Sequence, residues 1–208
     1  MHGRVSLTIK GAWTGSLTSD GTTAPTGKIK LVADGGFDLA CAVVAGGVDH
    51  KNAVHLSIVG GAGGLGKEVI GSFRSAQLRD PLVKALGVSG DALSANVSAA
   101  LLSQSLAFWT QGRHAVAREL YALARAAAAD VNWRYEADGA LWIGAESWPS
   151  AELPSTARIV DVEPSLGRTI IAVDTPAILP GVDLVGVGKV RAVDHWIEHD
   201  HVRSIVWS

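Results

Sequence analysis

The chain has 208 residues, 48 % of them hydrophobic and 18 % charged, with a formal net charge of −2. That composition supports a packed core, and the near balance of charge excludes a general nucleic-acid binder. No run of about 18 apolar residues occurs, so no membrane-spanning segment is expected. The single cysteine, Cys41, has no internal disulfide partner and reads as a core thiol.

Met1-His2-Gly3-Arg4 leads directly into alternating Val5, Leu7 and Ile9, the pattern of a strand rather than of a signal peptide. Val5–Lys10, Trp13–Thr18, Lys28–Ala33, Phe37–Val44 and Ala53–Val59 are expected strands. Ser19-Asp20-Gly21, Asp34-Gly35-Gly36 and Gly46-Gly47 are the expected turns. Gly61-Ala62-Gly63-Gly64-Leu65-Gly66-Lys67 then has the glycine and lysine spacing of a phosphate-binding loop. The next residue is Glu68, where such a loop needs Ser or Thr for Mg²⁺, so a flexible glycine loop is the stronger reading.

The middle changes character. Asp80-Pro81 predicts a helix start, with Leu82, Val83 and Leu86 on its apolar side and Gly87 at its end. Asp91–Leu106 is a second, Ser/Ala-rich helical candidate. Arg113–Ala129 carries Val116, Leu120, Leu123 and Ala127 at helical spacing. Asn132–Ala137 and Ala140–Ala145 flank Asp138-Gly139, a hairpin signal whose simplest geometry is a type I′ turn. Pro149–Pro154 reads as a linker. Beyond it, Arg158–Val162, Thr169–Val173, Leu184–Ile197 and Val202–Trp207 are apolar, strand-like runs separated by turn residues.

The expected fold class is α+β: barrel-like β modules at both ends with an inserted helix–hairpin subdomain. The segments are residues 1–75, 76–150 (helix 113–129, hairpin 132–144) and 151–208. Strands on the two sides of the insert are expected to share one barrel.

Candidate chemistry is sparse. His195, His199 and His201 would share a face of one extended strand and could hold zinc or iron in a small hydrolase. Here Glu198-His199-Asp200-His201 falls on an expected turn, which breaks that register. No Gly-x-Ser-x-Gly elbow occurs, Cys41 has only His50 as a conceivable base, and Glu146 and Glu152 sit in a Trp/Pro-rich segment. No catalytic residue, cofactor or metal ligand is therefore assigned. The 7 tryptophans are the other signal, since tryptophan is enriched in cores and interfaces. Trp133, Arg134, Trp142, Trp148, Trp196 and Trp207 are the candidate interface residues.

Several segments together resemble the baseplate hub (late control protein D-like) group of contractile-tail phages, a group related in fold to the hub part of type VI secretion spikes. They are the helix-to-hairpin run Ala124–Arg134 with Asp138–Gly144, the Pro-Gly turn in Ile178–Gly181, and the strand Val190–His195 leading to a final apolar strand. Hubs usually exceed this length, and the last hairpin lacks a turn glycine. The resemblance implies a non-enzymatic homotrimeric adaptor in the virion tail, assembled in the host cytoplasm. It would join a tail tube or distal tail protein to a central spike, with no nucleic-acid or membrane partner. Two barrel-like units per subunit would reconcile sixfold and threefold symmetry.

Overall fold

The computed structural model describes residues 1–198 and 201–208. The chain begins with β1 (His2–Thr8), β2 (Thr14–Asp20), β3 (Gly27–Val32), β4 (Asp38–Val48), β5 (Ala53–Gly60) and β6 (Glu68–Gln77). Then come α1 (Arg79–Ser89), α2 (Ala99–Leu102), β7 (Ser105–Ala115), α3 (Val116–Ala127), β8 (Val131–Tyr135) and β9 (Leu141–Ala145). The last part holds β10 (Ser150–Ala151), β11 (Arg158–Glu163), β12 (Arg168–Val173), β13 (Asp183–Leu184), β14 (Gly188–Lys189), β15 (Ala192–Ile197) and β16 (Val202–Trp207).

Strands from both ends of the chain form one nine-stranded sheet, in the order β11-β12-β16-β15-β1-β2-β5-β4-β3. β1 makes the junction, pairing antiparallel with β2 on one side and β15 on the other. The fold is α+β and β-rich, as expected, and the strands flanking the insert do share a sheet. Among the described residues β3 and β11 stand at opposite edges of that sheet and do not pair with each other.

One face of the sheet is covered. Val5, Leu7, Leu17, Leu31 and Ile58 pack in a single apolar cluster with Leu82 and Leu86 of α1, Leu120 and Leu123 of α3, and Trp133, Leu141 and Ile143 of the β8–β9 hairpin. A second cluster joins Ile171, Val173, Val193, Val202 and Val206 to Leu184 of β13 and to Ile178 and Val190 of the intervening loops. The presumed linker contributes too: β10 pairs in parallel with β13, which pairs with β14.

Several boundaries differ from expectation for local reasons. Gly46-Gly47 lies inside β4, and the turn follows at Asp49, whose carboxylate accepts the N–H groups of Lys51 (2.7 Å) and Ala53 (3.0 Å). α1 continues through Gly87 and stops at Gly90, which has φ of 84° and donates its N–H to the Leu86 carbonyl. The expected second helix is reduced to α2, because β7 begins at Ser105 and pairs with β6 as a two-stranded ribbon. That ribbon leaves Ile70 and Phe108 more than half exposed, so its sequence carries no regular buried alternation. The β8–β9 hairpin forms with Trp133 opposite Ile143, but its turn is not type I′. Asp138 lacks a positive φ, Gly139 has 82°, and the Gly139 N–H reaches the Glu136 carbonyl. This is the three-residue loop with a glycine bulge.

His195 is 0 % exposed where the two apolar clusters meet, its ring 5.7 Å from that of Phe37. Nε2 lies 2.9 Å from the Ile178 carbonyl, which can only accept, so Nε2 carries the proton. Nδ1 then accepts from the Ser204 hydroxyl at 2.8 Å. The neutral ring is satisfied on both sides, and burial pushes its pKa down from 6.5 to about 4, against smaller upward effects of Ile178 and Asp194.

Two outcomes are expected. The first concerns acid. With the folded pKa depressed, the unfolded chain binds the extra proton, so the stabilisation is complete above pH 6.5 and is lost as pH falls toward about 4. The loss is on the order of 3 kcal/mol. Urea unfolding of the wild type between those pH values should show a steeper fall than His195→Gln; equal slopes would contradict the assignment. The second concerns the chain end. β16 lies between β12 and β15 and buries Val202, Ser204 and Val206. Removing residues 202–208 splits the sheet and exposes apolar surface that contributes about 25 cal/mol per Å². The truncated protein should be insoluble, and a soluble form with an unchanged melting temperature would contradict this.

Candidate functional site

The six aromatic and arginine candidates separate by position. The alternation of β8 buries Trp133 and Tyr135 beneath the sheet, with Trp133 1 % exposed. Trp133 packs edge-on against Tyr121 and Tyr135. It is a core residue. Arg134, on the other face of β8, lies over the Trp142 ring at 4.6 Å, and its Nε donates to Glu146 at 2.9 Å. Arg134, Trp142 and Glu146 thus satisfy one another within one hairpin. Trp148 has φ of 55° and faces the Lys189 ammonium at 5.4 Å. Trp196 and Trp207 point to the uncovered face of the large sheet, and Trp196 is 43 % exposed with Arg4 at 5.2 Å from its ring. Arg4 also pairs with Asp194 at 2.7 Å.

Among the described residues the histidines separate: β15 ends at Ile197 and β16 begins at Val202, so His195 and His201 do not lie on one strand. His195 has both ring nitrogens engaged in the core. His201 is exposed and meets Glu198 at 2.9 Å. His199 lies outside the described residues.

The glycine loop serves packing. It follows β5 but leads into β6, a strand, where a phosphate-binding loop requires a helix N-terminus. A Cβ at Gly61 would fall 2.3 Å from the Tyr135 ring, and one at Gly64 2.1 Å from the Ser89 carbonyl. The loop amide of Ala62 donates to Asp91 at 2.6 Å, and the Tyr135 hydroxyl donates to the same carboxylate at 2.7 Å. Burial first, then Asp91, holds the Tyr135 hydroxyl far above its ordinary pKa. A carboxylate already facing the loop opposes phosphate there. The loop is packed rather than merely flexible: its glycines are needed because Tyr135 and Ser89 approach the backbone closely.

Cys41 is 2 % exposed, and burial raises its thiol to about 11, so it carries little thiolate. Its conceivable base His50 sits in the exposed turn after β4. One polar cluster escaped the sequence. Glu119 of α3 is 1 % exposed and accepts from Trp109 Nε1 at 2.5 Å and His114 Nε2 at 2.8 Å. It fastens the base of the β6–β7 ribbon to the helix, and its position on the apolar side of α3 was the available clue.

The remaining surface features are open. A concavity of about 680 Å³ on the uncovered face is lined by Ser6, Thr14, Ser16, Ser57 and Leu65, with Arg4 as its charged member. The two sheet edges differ from it in character. β11 is exposed along most of its length, with Ile159 at 44 %, Val160 at 62 % and Val162 at 51 %. β3 presents Lys28 and Lys30. These edges, rather than a pocket, are the candidate functional site.

No protein-family model matches the chain, and no curated protein matches it. Solved structures do. The chain is similar to the 43 kDa tail protein of prophage MuSo2 from Shewanella oneidensis, at 10 % identity and a TM-score of 0.59, over 99 % of this chain and 92 % of that one. It is similar to a tail protein from Neisseria meningitidis MC58, at 11 % identity and a TM-score of 0.64, over 99 % and 90 %. A third is the E. coli c3393 protein, described as a component of the type VI secretion system with structural similarity to the T4 bacteriophage tail proteins gp27 and gp5. That match has 8 % identity and a TM-score of 0.62, over 99 % and 72 %. At these identities the likeness is one of fold, and the chain has the fold of phage tail proteins.

Proposed function

We propose that this chain is a structural, non-enzymatic tail component: a hub-like adaptor that assembles as a ring, most simply a trimer, and joins a tail tube to a central spike. It would act in the virion tail after assembly in the host cytoplasm. The observation that carries this reading is the pair of uncovered edges on the nine-stranded sheet, one of them lined by Ile159, Val160 and Val162. Proteins ordinarily blunt such edges by charge, proline or a covering element, because an open edge recruits another strand. β11 carries a bulge and the charges Arg158, Asp161 and Glu163 but still leaves Ile159, Val160 and Val162 exposed, and a covering subunit would explain that apolar exposure.

The tail-protein fold supports the same reading, since it extends over 99 % of the chain. Trp196 and Trp207 on the uncovered face then become contacts for a neighbouring ring component, which aromatic anchors suit. The segments 1–75, 76–150 and 151–208 are proposed as the units of such a subunit. β1 ties the first to the last, and the middle one covers the sheet.

Light scattering and negative-stain microscopy of the purified protein test this. The expected result is a ring of threefold symmetry, formed alone or on addition of a tail-tube or spike protein. A monomer under all three conditions would contradict it.

A further inference from the structure

The strand register supplies a detail that the ring alone does not specify. Across the whole sheet, Lys28, Ala42, Val59, Thr14, Ser6, Asp194, Ile205, Ile170 and Asp161 form one continuous cross-strand row. Lys28 ends the row on β3 and Asp161 ends it on β11. One residue along the sheet, on the core face, β3 offers Ile29, which opposes Cys41, and β11 offers Val162, which opposes Thr169. One residue further, back on the uncovered face, stand Lys30 and Glu163. All neighbouring pairs in the sheet are antiparallel, so its first and ninth strands run in the same direction.

We infer that β3 of one copy adds in parallel to β11 of the next, with Lys28-Ile29-Lys30 set against Asp161-Val162-Glu163. This rests on the ring-forming role proposed above and names the surfaces that form it. With no shift of register the basic residues meet the acidic ones on the uncovered face. Ile29 meets Val162 on the core face, where Ile159 and Val162 now stand exposed. Opposite charges and apolar pairs at facing positions are what stabilise neighbouring strands. The unpaired backbone groups of both edges are satisfied together. Existing contacts do not prevent it: the Lys30–Asp38 pair is exposed on both sides and the Glu163–Arg168 pair is partly exposed, so exchanging partners costs little. The contact is head-to-tail, so an open chain of copies ends in a free β3 on one side and a free β11 on the other, and a ring forms when the rotation between copies brings those two ends together.

Sedimentation velocity over a concentration series, with charge-reversed variants, tests the pairing. Lys28→Glu with Lys30→Glu, or Asp161→Lys with Glu163→Lys, should weaken self-association at least about tenfold while leaving the circular dichroism spectrum of the monomer unchanged, since like charges then face each other. All four substitutions in one chain should restore it. Mild oxidation of Lys28→Cys combined with Asp161→Cys should give disulfide-linked multimers that end at the ring size. The buried Cys41 thiol serves as an internal control. Assembly that ignores charge reversal and yields no cross-link would overturn this pairing and leave the ring intact. A wild type that is monomeric at every concentration and with tail partners would overturn both. Dimers cross-linked by Asp161→Cys alone, or a link formed within one chain, would also overturn it, pointing to β11–β11 pairing or to closure of the monomer.

Discussion

The molecule depends on one strand being paired on both sides. β1 contributes Val5 and Leu7 to the core, and its two ladders join residues 2–8 to residues 14–18 and to residues 192–197. Without β1 there would be two smaller sheets, each with a new edge. Pairing partners so distant in sequence carries a large loop-closure entropy, which the burial of Val5, Leu7, Val193 and His195 must outweigh. Arg4 reinforces the seam by pairing with Asp194 on β15 while resting over Trp196. His195 crosses it from the other face, with Ser204 on one nitrogen, Ile178 on the other and Phe37 against its ring.

Given that seam, the distribution of side chains follows. Helices α1 and α3 and the hairpin of the middle segment lie on the face that carries Val5, Leu17 and Ile58, so that face is dry. The opposite face keeps Ser6, Ser16, Ser57 and Arg4, a surface with small polar groups and no convergent titratable set.

The local elements were readable because they announce themselves locally. β-branched runs between turn residues located β12 and β16, and helical spacing located the body of α3. What failed depended on distant neighbours. Gly61–Lys67 reads as a flexible loop, but its glycines answer to Tyr135 and Ser89, which pack closely against it. Trp133 looked available until the β8 alternation placed it under the sheet. The β6–β7 ribbon is mostly solvated, so it leaves no buried period to detect. Glu119 reads as an ordinary helix carboxylate, and its burial follows from Trp109 and His114 on the preceding strand. The alignment of Lys28 with Asp161 is a property of eight successive registers, and no inspection of residues 28 and 161 alone could reveal it.

The central claim is that a sheet held at its middle by β1 is completed at its edges by other copies. Residue-resolved amide hydrogen exchange, measured on dilute and on assembled protein, tests both halves together. β1 amides should exchange slowly in both samples. Outward-facing amides of residues 28–30 and 159–163 should exchange quickly when dilute and slowly when assembled. Edge amides that exchange at the same rate in both states, or β1 amides that open before the rest of the sheet, would contradict the account.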